Sequence, residues 1–404
     1  VQTAPTDRSI APGRRGLMDD RIETNFPVTK RLNAGTRDAV PDRKLILASV
    51  PGLENRKSIV AVDLFCGIGG LSLGLQNAGI HVAAGNDLDP ACARPYEDNL
   101  RVPFIERDVM NLGADELRAL FGPAAIRVLA ACAPCQPFSG YTTKRRATDE
   151  RWRLLLEVLR LALDVRPEIL TVENVPRLRQ MTIWRTFVES LEGAGYHVTF
   201  DVLDASDYGV PQKRRRLVLI ASLLGKIEIP ETIEDATCNV RSAIGHLPPV
   251  PAGVADGRDP LHVSRSLTQK NLDRLHSSRI GGTWREWPKR LQLKCHKRAS
   301  GRTYPSVYGR MAWDKPAPTI TTQFYGYGNG RFGHPNQDRA LTLREGAILQ
   351  SFPAWFSFKS DDEAVNFNRL GRLIGNAVPP ELARVIGTQL KAHAAQYVSE
   401  AHHS

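Results

Sequence analysis

Cys132 and Cys135 stand three residues apart in Cys132-Ala-Pro-Cys135-Gln-Pro-Phe-Ser139, directly after an apolar stretch, Arg127–Cys132. Such a pair admits three chemistries. Structural zinc needs four ligands, and no second pair lies at finger spacing. Thioredoxin-like redox chemistry needs the pair at the opening of a helix, whereas Gln-Pro-Phe-Ser follows here. A single nucleophile at Cys135, with Cys132 filling a strand, needs a thiolate whose pKa of about 8.5 is lowered by cations. Lys144-Arg145-Arg146 lies close by in sequence. Against all three stands the inert buried thiol, the commonest fate of any one cysteine. Cys295-His296 offers only two metal ligands, so no metal is expected.

Three further clusters carry chemistry. Glu173-Asn174-Val175 ends an apolar run, where a carboxylic acid donates a proton if burial raises its pKa, or else caps a turn. Gln212-Lys-Arg-Arg-Arg216 is a solvated or phosphate-binding face in most settings. If the strand after it is buried, Arg214 and Arg216 share one face, which could be that of the active site. Asp63-Leu-Phe-Cys-Gly-Ile-Gly-Gly70 is a glycine turn that lets backbone approach a ligand. Asp87 follows about twenty residues later, where this sheet class places an acid on ribose hydroxyls. Asp108 is placed to read an adenine amino group. The turn is neither a dinucleotide G-x-G-x-x-G nor a P-loop.

These groups need a frame. Ile59–Phe65, His81–Asn86, Arg127–Cys132, Glu168–Glu173 and Leu217–Ala221 read as strands. Helical stretches fall at the glycine turn to about Ala78, at Pro90–Asn99 and at Trp152–Asp164. Alternation of this kind predicts a doubly wound, mostly parallel α/β sheet. Residues 1–57 read as a flexible arm, 58–225 as the first part of a catalytic and cofactor-binding domain, and 226–338 as a smaller, loop-rich domain. Within a last segment, 339–404, helical pattern returns from Asp338 to about Gln350 and in a final helix at Pro380–Tyr397.

Composition agrees with a soluble globular chain, 42% hydrophobic and 24% charged, with no run long enough for a membrane span. The net charge of +11 favours polyanionic partners, through counterion release from phosphates. Six cysteines without framework spacing read as reduced thiols of a cytoplasmic enzyme.

Taken in order, the clusters resemble the C5-cytosine DNA methyltransferase family of bacterial restriction–modification type. Asp63–Gly70 is similar to its cofactor motif, Pro134-Cys135-Gln136 to its nucleophile motif, and Glu173-Asn174-Val175 to its Glu-Asn-Val motif. Gln212, Arg214 and Arg216 fill its Gln-x-Arg-x-Arg motif. Arg339-x-Leu-Thr342, Glu345 and Gln350-Ser-Phe-Pro353 match its penultimate motif, and Gly375-Asn376-x-Val378-Pro379 its last. The resemblance implies a Rossmann-like class I methyltransferase sheet and S-adenosyl-L-methionine as cofactor, leaving as S-adenosyl-L-homocysteine. It also implies double-stranded DNA as partner. Cys135 would attack C6 of a flipped-out cytosine, Glu173 would hold the ring N3 and amino group, and Arg216, with Arg214, the base O2. The cofactor pocket would comprise Asp63, Phe65, Gly67, Ile68, Gly69, Gly70, Asp87, Leu88, Asp108, Val109 and Pro134, closed by Asn376 and Val378 from the far end. Gln136, Ser139, Lys144, Arg145, Gln212, Arg285 and Arg310 would contact DNA, the stretch Gln136–Thr148 as a closing loop.

By the same resemblance 226–338 is the target-recognition region, and Ala317–Thr322 lies near the domain hinge. Two departures stand out: Asp87 where many relatives have Glu, and Cys132-Ala133 where many have glycine and an aromatic residue. The rivals are a transfer-RNA methyltransferase of the same fold and a silent DNA-binding relative. The long basic region argues against the first, and the intact Cys135, Glu173 and Arg216 against the second. A monomer is expected. A cognate restriction endonuclease acting separately is plausible, though the sequence names no partner.

Overall fold

The computed structural model describes residues 59–134, 153–233, 238–298, 301 and 307–400. The expected N-terminal arm and the Gln136–Thr148 loop lie outside these residues.

Seven strands form the main sheet: β1 (Ile59–Leu64), β2 (His81–Asp87), β3 (Phe104–Glu106), β4 (Ile126–Ala131), β5 (Ile169–Asn174), β6 (His197–Asp204) and β7 (Arg215–Ser222). Their spatial order is β3-β2-β1-β4-β5-β7-β6. All pairs from β3 through β5 are parallel, while β7 runs antiparallel to both β5 and β6. β1 reads Ile-Val-Ala-Val-Asp-Leu and is buried along nearly its whole length. A continuous apolar, β-branched run suits a central strand covered on both faces.

Alternation sorts each strand between two cores. Ala61, Val128, Val218 and Ile220 join one cluster, and Val60, Val62, Leu64, Leu217 and Leu219 the other. The first face is covered by α1 (Gly70–Asn77) and α2 (Ala93–Leu100), the second by α3 (Ala114–Phe121), α4 (Arg153–Val165) and α5 (Thr182–Gly193).

The chain then leaves the sheet. α6 (Val240–Ile244), a two-stranded hairpin of β8 (Ala255–Asp256) and β9 (Asp259–Val263), and α7 (Gln269–His276) are short. A satellite core of Leu275, Trp284, Trp287, Leu291, Tyr327 and Ala340 holds this stretch. Return is through α8 (Leu343–Leu349), α9 (Phe367–Asn376) and α10 (Pro380–Glu400). Thr342 and Glu345 form a capping box at α8, and Glu345 also takes both terminal nitrogens of Arg339 at 2.7 Å. α10 packs on α1 at Gly74, where a Cβ would lie 2.3 Å from that of Ala383.

Candidate active site

Strand order reverses between β1, whose next strand lies to one side, and β4, which lies to the other. Ligands of open α/β sheets bind at this point, beyond the carboxyl ends of the strands. Leu64 pairs with Ala131, and the Cys132 N–H donates to the Leu64 carbonyl at 3.2 Å. The glycine turn and the cysteine segment therefore leave the sheet side by side.

On the turn, Phe65 and Gly67 take left-handed φ values of 57° and 52°. The Gly67 N–H donates to Asp87 Oδ2 at 2.9 Å, and a Cβ on Gly67 would meet nothing within 4 Å. Backbone thus faces open space. Asp87 Oδ1 accepts from the Asp89 N–H, and burial raises the Asp87 carboxyl above its usual range. Asp63 is fully buried. One of its oxygens accepts from Ser72 Oγ at 2.7 Å and the other has no partner among the described residues. Burial pushes its carboxyl up to about 7. Leu88 is 63% exposed, an apolar side chain left facing solvent at the strand ends. Asp108 caps the turn that holds buried Val109, through the Met110 N–H. From the return segment, the Val378 carbonyl sits where a Cβ on Gly70 would lie, 2.1 Å away. Arg372 of α9 pairs with Asp89. Asn376 is exposed at the end of the same helix.

On the other side, Glu173 is the penultimate residue of β5 and is 5% exposed. Its Oε1 lies 2.7 Å from Arg216 Nε, and its Oε2 accepts from Cys132 Sγ at 2.9 Å. Asn174 donates to the Ala133 carbonyl and accepts from the Val175 N–H, pinning the segment before the expected nucleophile. Neither the Cys132 contact nor the Asn174 clasp was evident from the sequence. Parallel pairing of Ala131 with Val172 was the available signal, since it brings the next residue of each strand alongside. Cys135, Gln136, Ser139, Lys144 and Arg145 lie outside the described residues; Pro134 is the last before them and is exposed.

Gln-x-Arg-x-Arg divides differently from expectation. Gln212, expected on DNA, is fully buried, donates to Leu349 O and Gln350 Oε1, and accepts from the Ile320 N–H. Arg214, expected beside Arg216 on the base, is 3% exposed and donates to the carbonyls of Ile320, Gly375 and Ala377. These two residues join the entry of β7 to the 317–320 segment and the return helices. Arg310, also expected on DNA, is turned inward onto Leu275, Ser278, His334, Gln337 and Asp338. The cause in each case is the same: their hydrogen-bonding groups satisfy buried polar groups of segments that pack against them. Arg285 is exposed. It belongs to a run in which Trp284, Trp287, Leu291 and His296 point inward, while Lys289, Arg290, Lys294, Lys297 and Arg298 point outward.

The sequence model of C-5 cytosine-specific DNA methylases matches residues 59–392. The type II methylase M.HgiDII of Herpetosiphon aurantiacus is 47% identical over 335 residues, 82% of this chain and 94% of that one. The type II methyltransferase M1.HphI of Haemophilus parahaemolyticus is 32% identical over 336 residues, 81% of this chain and 86% of its own. Among solved structures, a prophage-encoded E. coli protein described as a DNA modification methyltransferase superposes with a TM-score of 0.63. It is 22% identical, and the match covers 84% of this chain and all of that one, which bears on the fold.

Proposed function

Since the chain belongs to the C-5 cytosine-specific DNA methylase family and methylates DNA cytosine at C5, we propose that Cys135 is the nucleophile and that Glu173 and Arg216 hold its target base. The observation that carries this reading is the buried Glu173–Arg216 pair, beside the strand end that leads into Cys135. Attack of the Cys135 thiolate on cytosine C6 makes C5 electron-rich. Glu173 meets the N3 and amino edge, accepting from the amino group, while Arg216 donates to O2 and offsets the negative charge that develops. S-adenosylmethionine supplies the methyl group as a sulfonium electrophile. Loss of the C5 proton then expels Cys135 and restores the ring. A base reached in this way must leave the stack, at about a few kcal/mol. Gln136 and Ser139 fill the gap, and Lys144 and Arg145 meet phosphate.

The chain's residues fit that cofactor. The partnerless oxygen of Asp63 suits an ammonium group, and Asp87 keeps lone pairs for ribose hydroxyls. Leu88, with Phe65, Ile68, Val109 and Pro134, gives apolar walls, and Asp108 takes the adenine amino group. Asn376 and Val378 close the pocket. Residues 226–338 read the target sequence through Arg285 and its exposed neighbours, and 339–404 complete the catalytic domain. We read the enzyme as a monomer of the bacterial cytoplasm that acts separately from any restriction endonuclease; its relatives include bacterial type II methylases.

Labelled S-adenosylmethionine with duplex DNA or transfer RNA tests this. Cys135→Ser is expected to bind DNA and transfer no label. Label in DNA from that variant would sink the nucleophile assignment, and label in RNA alone the choice of substrate.

A further inference from the structure

Cys132 is the first residue beyond β4, and three observations fix where its thiol lies. Its N–H continues the ladder to Leu64 O, the carbonyl of the next residue is held by Asn174 Nδ2, and its Sγ is 2.9 Å from Glu173 Oε2. At Oε1 the situation differs. Arg216 Nε lies 2.7 Å away as an ion pair, but among the described residues no donor meets this buried oxygen in hydrogen-bond geometry. A carboxylate with one oxygen held and the other still able to accept has a defined orientation and a defined vacancy. An ionised carboxylate has about four acceptor sites. The thiol takes one on Oε2, and Oε1 keeps its directed capacity.

We propose that Cys132 is a positioning residue for the methyl-transfer reaction: its thiol orients the Glu173 carboxylate so that Oε1 is presented to the Watson–Crick edge of the flipped cytosine. This rests on the reading that Glu173 binds the base. The thiol acts as a hydrogen-bond donor. Without it, the carboxylate rotates between rotamers and meets the base in productive geometry for a smaller share of the time.

Steady-state turnover of Cys132→Ala, Cys132→Val, Cys132→Ser, Glu173→Gln and the Cys132→Ala/Glu173→Gln pair tests this, with melting and S-adenosylmethionine binding measured alongside. Loss of one hydrogen bond to a charged group predicts a fall in kcat of about tenfold in Cys132→Ala. KM for S-adenosylmethionine and the melting temperature should hold. Cys132→Ser, which keeps a donor, is expected to recover turnover to within about threefold of wild type. In the Glu173→Gln background, Cys132→Ala should add no further loss. Cys132→Val keeps the volume and removes the donor, so it separates orientation from packing if the alanine variant folds poorly. Full turnover in the folded alanine or valine variant overturns the proposal. So does a serine variant as slow as the alanine one, or an additional loss in the double variant. Full turnover in Glu173→Gln overturns both this proposal and the role given to Glu173, whereas an inactive Glu173→Gln beside an active Cys132→Ala overturns this proposal alone.

Discussion

Asp63 is a carboxyl enclosed by the fold, with one oxygen on Ser72 and burial holding its pKa at about 7. In the unfolded chain it releases its proton near 3.8. Between those values the folded state binds the extra proton, so this contribution to stability is complete below the lower value and is lost as pH rises to about 7. A cationic ligand group reverses the preference, because it favours the ionised form. Affinity for S-adenosylmethionine is therefore expected to strengthen from about pH 5.5 toward 7, approaching about tenfold per pH unit, and then level off. In Asp63→Asn the profile should be flat. Calorimetric titration across this range reads both, and an unchanged slope in the variant would remove Asp63 from the binding equilibrium. Arg214 and Arg216 separate in the same residue-by-residue way. Arg216 faces Glu173, while Arg214 holds three carbonyls.

Between elements, Arg214 works as a joint. A methionine there fills similar space but leaves the Ile320 carbonyl unmet and the Gly375 and Ala377 carbonyls with only the longer contacts of Gln350 Nε2. A buried group left without a partner costs about 1–3 kcal/mol, so Arg214→Met is expected to lose about that much unfolding free energy in a denaturant titration. Arg216→Met should lose turnover before stability. How far elements were legible follows from how they are buried. β1, β2, β4 and β5 are apolar runs in the interior and stood out from the sequence. β6 did not, since it is an edge strand whose His-Val-Thr-Phe-Asp-Val-Leu-Asp is only partly covered. α9 was hidden because Gly371 and Gly375, which read as breakers, allow close approach to Tyr325 and Thr321. The reversed direction of β7 has no counterpart in its pattern: eight mostly buried residues look alike in either direction. In the site, Glu173 was legible as a strand-end acid. That Gln212 and Arg214 face inward was not, because only the path of the return segment supplies their partners.

At the scale of the whole molecule, charge and fold meet in the 285–298 run. Buried aromatic rings, with Trp284 stacked on His296 at 4.2 Å between centroids, hold a ribbon whose outward positions are cationic. Charge reversal at two of them, Lys289→Glu with Arg290→Glu, is expected to weaken duplex binding strongly at low salt. Each phosphate contact removed makes the log–log dependence on salt shallower by about 0.9. Fluorescence anisotropy over a salt series measures it. A slope equal to wild type would take these residues off the DNA.

The closure of Gly70 by the Val378 carbonyl, and of α1 by α10, has a consequence for how the enzyme is made. A chain growing on the ribosome presents the glycine turn and Cys135 long before Val378 emerges, at about 5–20 residues each second. If Val378 closes the methyl-donor pocket as proposed, that pocket lacks a wall during the interval. Chemical competence therefore arrives late and all at once, and a translation product that stops short of α9 is inert toward the genome rather than weakly and indiscriminately active.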